Sequence, residues 1–187
     1  MLADAPRLQK FVGRRPELDA VTRDVPGPRT FVVRGVAGIG KSSFAAKACE
    51  VFRGTRNLFW HRVRPWDTRH SLLASLGDFL SAVGRPGLRS LLAHGEEGPL
   101  DTLFREDLNG TRSFLVFDDA HEATPEVVSF LRFLKDTVAE AADVRMLVLT
   151  RRALPFYDRR DVTIRGLVRE IDLGGLDAED IARLARL

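Results

Sequence analysis

The stretch Gly35-Val36-Ala37-Gly38-Ile39-Gly40-Lys41-Ser42 constrains this chain more than any other. It has the form G-x-x-x-x-G-K-[ST], a loop that binds phosphate. Its setting matters as much as its letters. Before it, Thr30-Phe31-Val32-Val33-Arg34 is a short apolar, β-branched run that reads as a buried strand. After it, Phe44, Ala48, Val51 and Phe52 recur at i, i+4, i+7 and i+8, one face of a helix. A strand feeding a glycine loop that opens a helix turns the loop amides and the helix N-terminus toward one point, where phosphate oxygens are bound.

Each residue type has a reason. Gly35, Gly38 and Gly40 permit backbone angles and close approach that a Cβ would block. Lys41 supplies one compact positive charge for the β- and γ-phosphates, and the Ser42 hydroxyl is placed to ligate Mg²⁺. Ile39 and Ser43 complete the expected nucleotide-contacting set. The pattern implies that the chain binds a nucleoside triphosphate.

The second strong signal is Ser113-Phe114-Leu115-Val116-Phe117-Asp118-Asp119. Four apolar residues make a buried strand, and two carboxylates stand at its C-terminal end. In open α/β sheets ligands bind at the carboxyl ends of strands, which puts both acids near the phosphate loop. Two acids after a strand can also be a simple helix cap. With a phosphate loop upstream they read as a Walker B pair, in which Asp118 holds Mg²⁺ and Asp119 orients or deprotonates the attacking water.

The rest of the chain fits around these two anchors. Pro16 and Glu17 open a short N-terminal helix through Leu18 and Val21. Asn57–Val63 reads as a strand, whose Trp60 and His61, with nearby Trp66, read as packing or edge residues. Leu72, Leu73, Leu76, Phe79, Leu80 and Val83 follow a helical period. Residues 84–99 read as a loop-rich connection with one short helical turn, and Leu100, Leu103, Phe104 and Leu108 as another helix. Thr124 caps a helix begun by Pro125, with Val127, Leu131, Leu134 and Val138 on its buried face. Val144–Leu149 is a strand, and Thr150-Arg151-Arg152 at its C-terminal end faces the ligand crevice. Residues 153–169 read as irregular, Glu170–Leu173 as a short strand, and Asp177 as the cap of a last helix carrying Ile181, Leu184 and Leu187. That unfinished apolar stripe implies further chain.

Composition narrows the function class. At 187 residues and 44% hydrophobic, the sequence can bury a sizeable core. No run reaches the 18 or so apolar residues of a membrane span, and Met1-Leu2-Ala3-Asp4 does not open a signal peptide. The single cysteine, Cys49, excludes an intrachain disulfide, and a cytoplasmic setting is expected. The net charge of +3 is made by arginines scattered among acids, so nucleic-acid binding is possible but not favoured.

Taken in order, Phe11-Val12-Gly13-Arg14, the phosphate loop, Phe117-Asp118-Asp119-Ala120-His121 and Leu149-Thr150-Arg151 resemble the STAND branch of AAA+-like ATPases. These are the signal-transduction ATPases that include NB-ARC proteins and many bacterial and archaeal multidomain regulators. The resemblance implies a three-layer α/β P-loop NTPase domain over residues 1–173, with a five-stranded parallel sheet of order 5-1-4-3-2, and the start of a helical lid at 174–187. It implies that Phe11 and Val12 lie against the adenine and that Arg14 reaches the nucleotide or a subunit interface. Arg151 would be the sensor arginine that reads the γ-phosphate, with Arg152 the lesser candidate. The expected function is an ATP/ADP- and Mg²⁺-dependent, slowly hydrolysing switch, which in its full-length form works with other domains of the same chain and assembles into homo-oligomers on ATP. Two alternatives stand beside it: a DNA-handling ATPase similar to archaeal replication initiators, and a non-hydrolysing scaffold that holds ADP.

Overall fold

Strands of a parallel sheet are covered on both faces, which is why the apolar runs of this sequence lack polar alternation. The structure, a computed structural model, describes residues 5–6, 11–24, 26–94, 100–176 and 180–182. Five strands, β1 (Thr30–Arg34), β2 (Asn57–Arg62), β3 (Ser113–Asp118), β4 (Arg145–Thr150) and β5 (Val168–Asp172), form one sheet in the order β2-β3-β4-β1-β5. This is the expected order read from the opposite edge. Every pairing is parallel, and the register sets Arg34 beside Thr150 and Asp172, and Arg62 beside Asp118.

Among the described residues, helices α1 (Arg15–Thr22), α2 (Lys41–Phe52), α3 (Arg69–Ala82), α4 (Gly87–His94), α5 (Leu100–Leu108), α6 (Pro125–Glu140) and α7 (Arg159–Thr163) cover the two faces. Successive residues of a strand point to opposite faces, and β3 shows the consequence. Phe114 and Val116 join Phe31, Val33, Phe44 and Phe52 in a core under α1 and α2. Leu115 and Phe117 join Leu76, Phe104 and Leu131 in a second core under α3, α5 and α6. Three layers result, helices on each side of a central sheet.

Three sequence expectations need adjustment. Within 84–99 there is a two-turn helix, α4, whose Leu88 is fully buried; residues 95–99 lie outside the described residues. Within 153–169 there is α7, set by a capping box in which Asp158 accepts from the Arg160 and Asp161 amides while Asp161 answers the Asp158 amide. β5 begins at Val168, two residues earlier than its apolar core suggests, because Val168 and Arg169 pair with Thr30 and Phe31. The expected cap Asp177 and the stripe residues Leu184 and Leu187 lie outside the described residues; Ile181 is more than half exposed. Among the described residues, no helix is long and apolar enough to cross a membrane.

Candidate active site

The phosphate loop joins β1 to α2 at the C-terminal end of the sheet. Gly38 and Gly40 hold φ of 78° and 95°, the left-handed region in which a side chain is strained. Gly35 is needed for a different reason. A Cβ there would lie 2.8 Å from Ile39 Cγ2 and 3.0 Å from the Leu173 carbonyl oxygen. Gly40 is also the N-cap of α2, and no side chain caps that helix, whereas Thr68, Thr124 and Asp158 cap α3, α6 and α7. The first-turn amides of α2, those of Lys41, Ser42 and Ser43, are thus left without an intrahelical or side-chain acceptor, as an anion site requires.

Charged groups gather over this helix start. Lys41 is 7% exposed, and its Nζ donates to the carbonyls of Gly35 (2.8 Å) and Val36 (3.0 Å). Burial lowers its pKa, nearby Arg151 adds to the shift, and Asp119 and Asp118 oppose it. Asp118, 5% exposed, closes β3; burial raises its pKa, opposed by the nearby Ser42 hydroxyl and by the Asp119 amide, which donates to it at 2.8 Å. Asp119 sits in a left-handed conformation (φ 52°), which turns its carboxylate out of the strand line. There Arg62, at the end of β2, donates from Nε to Asp119 Oδ2 (2.9 Å), and its Nη2 lies 2.8 Å from the same oxygen in an ion pair.

Two arginines follow β4, and they part company. Arg152 donates to the His121 carbonyl (3.0 Å) and closes a turn with the Thr150 hydroxyl. Arg151 is exposed and lies close enough to Lys41 and His121 to lower the pKa of both. His121, in the 3-10 turn Ala120–Glu122 after Asp119, has its side chain 9% exposed and, among the described residues, no hydrogen-bond partner on either ring nitrogen. Glu122 Oε1 is 3.3 Å from its Nε2, within ion-pair range but without hydrogen-bond geometry. Burial, then Arg151, hold the imidazole below its ordinary pKa.

Lys41, Ser42, Asp118, Asp119 and Arg151 are therefore brought together. The N-terminal strap, residues 11–14, reaches the core and the segment after β5. Phe11 packs on the core beneath α1 and α2, and the Arg14 guanidinium donates to the Gly174 carbonyl and lies 3.7 Å from Glu17. It ties the strap to the segment after β5, and a cleft of about 370 Å³ lies between Gly13, Arg14 and Gly175, Leu176 and Asp180. Arg62 and His121 have no assigned role in the sequence reading. His121 stands two residues after a recognisable acid, whereas Arg62 becomes visible only through its register with Asp118.

The donor set suits a small hard cation. Among the described residues no group of three or more His, Cys, Asp or Glu could hold a metal alone. One buried carboxylate, Asp118, with the Ser42 hydroxyl near enough to lower its pKa, is the kind of partial oxygen shell that Mg²⁺ completes with phosphate oxygens and water. Cys49 takes no part; burial pushes its thiol up to about 12.

No protein-family model matches the sequence, and no curated protein aligns with it significantly. Solved structures do match. The chain is similar to a Signal Transduction ATPase with Numerous Domains (STAND) protein with a tetratricopeptide repeat sensor from Pyrococcus horikoshii, at 27% identity and a TM-score of 0.72. The match covers 97% of this chain and 26% of that one, so the chain spans about a quarter of that relative's length. Cdc6p from Pyrobaculum aerophilum shares the fold at 15% identity and a TM-score of 0.53, over 98% of this chain and half of that one. With the strand order, the loop between β1 and α2 and the STAND match all in agreement, the chain has the three-layer α/β fold of a P-loop nucleotide-binding core, similar to that of the STAND protein.

Proposed function

We propose that this chain is the ATP-binding, slowly hydrolysing core of a larger signalling switch. The observation that supports this most is the convergence of Lys41, the Ser42–Asp118 pair, Asp119 and Arg151 at one uncapped helix start. In this reading the α2 amides and Lys41 bind the β- and γ-phosphates, phosphate oxygens replacing the two loop carbonyls as partners of the ammonium. Ser42 and Asp118 hold Mg²⁺, which neutralises charge on the phosphates. Asp119 orients a water and takes its proton as the water oxygen bonds to the γ-phosphorus and the β–γ bridge bond breaks. Arg151 meets the γ-phosphate charge, and His121 lies beside it as a neutral ring with a free nitrogen for the transferred group or the water. Asp119 is one methylene shorter than a Glu and is held by Arg62, which fits slow turnover.

Loss of the γ-phosphate removes the partner of Arg151 and of Lys41 together, and such a change can reorder neighbouring segments. About 5.5 kcal/mol of differential binding moves a 1:99 population to 99:1, and a few contacts to a phosphate supply an appreciable part of that. ADP would favour a closed resting form of the full-length protein and Mg-ATP an open form that homo-oligomerises.

The site is tested by nucleotide titration. Lys41→Ala is expected to lose ATP and ADP binding by about a hundredfold or more, since a desolvated charge–phosphate contact is worth about 3 kcal/mol or more. Binding equal to the parent overturns the assignment. Asp119→Ala is expected to keep Mg-ATP and slow its hydrolysis, and unchanged turnover removes Asp119 from the mechanism. For the switch, the mass of the full-length protein should rise with ATP relative to ADP on size-exclusion chromatography.

A further inference from the structure

At the end of the sheet opposite the phosphate loop, three guanidiniums meet. Arg29 precedes β1, Arg56 precedes β2 and Arg145 opens β4, and they line a cleft of about 350 Å³ with Asp24, Asp143 and the turn 26–28. The length of β1, five residues at about 3.3 Å each, separates this cleft from the loop. The two are separate places.

The arginines are fixed before any ligand arrives. The side chains of Arg56 and Arg145 are 6% and 8% exposed. Arg145 Nη1 donates to the Val21 carbonyl (2.6 Å), Arg56 Nη1 to that of Asp143 (2.6 Å), and Arg29 Nη1 to that of Ala141 (2.8 Å). Both guanidiniums stand over the Phe52 ring, at 5.2 and 5.9 Å. The second terminal nitrogen of each is aimed at a single atom, Asp24 Oδ1, at 3.3 Å from Arg56 and 3.0 Å from Arg145. Asp24 itself is 76% exposed and leads into a turn with Pro26, Gly27 and Pro28. One loosely held carboxylate thus serves two buried cations. With three arginines against Asp24 and Asp143, the cleft is left with one positive charge in surplus. The strain is visible in Arg145, whose pKa is lowered by burial first and by Arg56 next.

We infer that this cleft is a second oxyanion site, built to take a phosphate group in the place that Asp24 Oδ1 fills. A tetrahedral dianion offers both guanidiniums an oxygen each and answers the surplus charge, which a single shared carboxylate oxygen does not. The donors are rigid and dry, so little ordering is needed when the anion binds. The phosphate is free or carried on a small molecule; both share the recognised chemistry.

The experiment is titration calorimetry of the full-length protein carrying Lys41→Ala, which disarms the phosphate loop whatever that loop binds. Inorganic phosphate is one probe and ribose 5-phosphate the other, and the tighter of the two identifies the source. Saturable binding is expected, weakened at least about tenfold by Arg56→Gln and tightened several-fold by Asp24→Asn, which removes the built-in competitor. Absence of saturable binding for both probes overturns the inference, as does binding that neither substitution moves. Should Arg56→Gln fail to fold, the exposed Asp24→Asn decides alone: unchanged phosphate affinity there overturns the inference and means the arginines only pin Asp24.

Discussion

Two groups of buried charge in this molecule are finished to different degrees. Lys135 of α6 and Asp161 of α7 are 3% and 4% exposed and meet at 2.6 Å. Lys135 also reaches Asp136 at 3.1 Å, while Asp161 accepts from the Asp158 amide and faces Arg165. Burial alone would raise the Asp161 pKa, but the Lys135 hydrogen bond and the Asp158 amide more than offset it, and the net shift is downward. At the active site the balance goes the other way. Lys41 is pushed down, Asp118 is pushed up, and both nitrogens of His121 lack a hydrogen-bond partner among the described residues. The fold completes its charges where they hold helices together. It leaves them incomplete where a polyphosphate and a cation can complete them, a pattern expected of functional sites.

Breaking the finished pair should have the largest effect on stability. Lys135→Met leaves Asp161 buried without its main partner, and about 3–5 kcal/mol should be lost in chemical denaturation. Nucleotide affinity of the folded protein should not change, since both residues lie away from the loop. Replacing both partners, Lys135→Met with Asp161→Leu, should recover most of the loss. A single-variant loss under about 1 kcal/mol would mean that the two groups do not differ as described.

The same contrast explains what could be read in the sequence. The central strands β1, β3 and β4 are apolar on both faces, so their runs stand out without any structural knowledge, and the strand order is the one that the resemblance to STAND ATPases implies. Lys135 was legible only as a polar residue among Leu131, Leu134 and Val138 of α6. Its burial depends on a carboxylate from α7, a five-residue helix fixed by side-chain caps rather than by an apolar stripe. α4 is hidden for a related reason, because glycine and proline around it mask the one fully buried side chain, Leu88. In the site, Lys41, Ser42, Asp118 and Asp119 are set by local motifs. Arg62 acts across elements, through its register with Asp118, and spacing along the chain does not encode it; His121 follows the acids closely in the chain, but its burial is visible only in the fold.

The unfinished side of the comparison predicts a pH effect of intermediate size. His121 has a folded pKa below the ordinary 6.5, so between those two values the unfolded chain holds a proton that the folded chain refuses. Its contribution is therefore unfavourable in acid: stability should fall as pH drops below about 6.5 and recover above it. His121→Gln should flatten that slope in thermal melts across pH 5 to 8, the range about the ordinary histidine value. Nucleotide should flatten it too, because phosphate charge beside Arg151 and Lys41 favours the imidazolium. If neither change alters the slope, His121 is not the unfinished group it is taken to be.

The smallest stability effect belongs to the one site charge that does have a full partner. Arg62 and Asp119 are 57% and 19% exposed, so their pair is largely screened, and Arg62→Ala should cost no more than about 1 kcal/mol. Its effect should appear in turnover instead. Both guanidinium contacts fall on Asp119 Oδ2, the carboxylate that the mechanism needs to orient water and take a proton. With the guanidinium gone, Asp119 can engage the water without first leaving an ion pair, so ATP hydrolysis should rise several-fold at unchanged ATP affinity. A fall in turnover would mean that Arg62 aims the carboxylate rather than restrains it. A stability loss as large as that of Lys135→Met would place this pair with the structural charges and remove the distinction between the two groups.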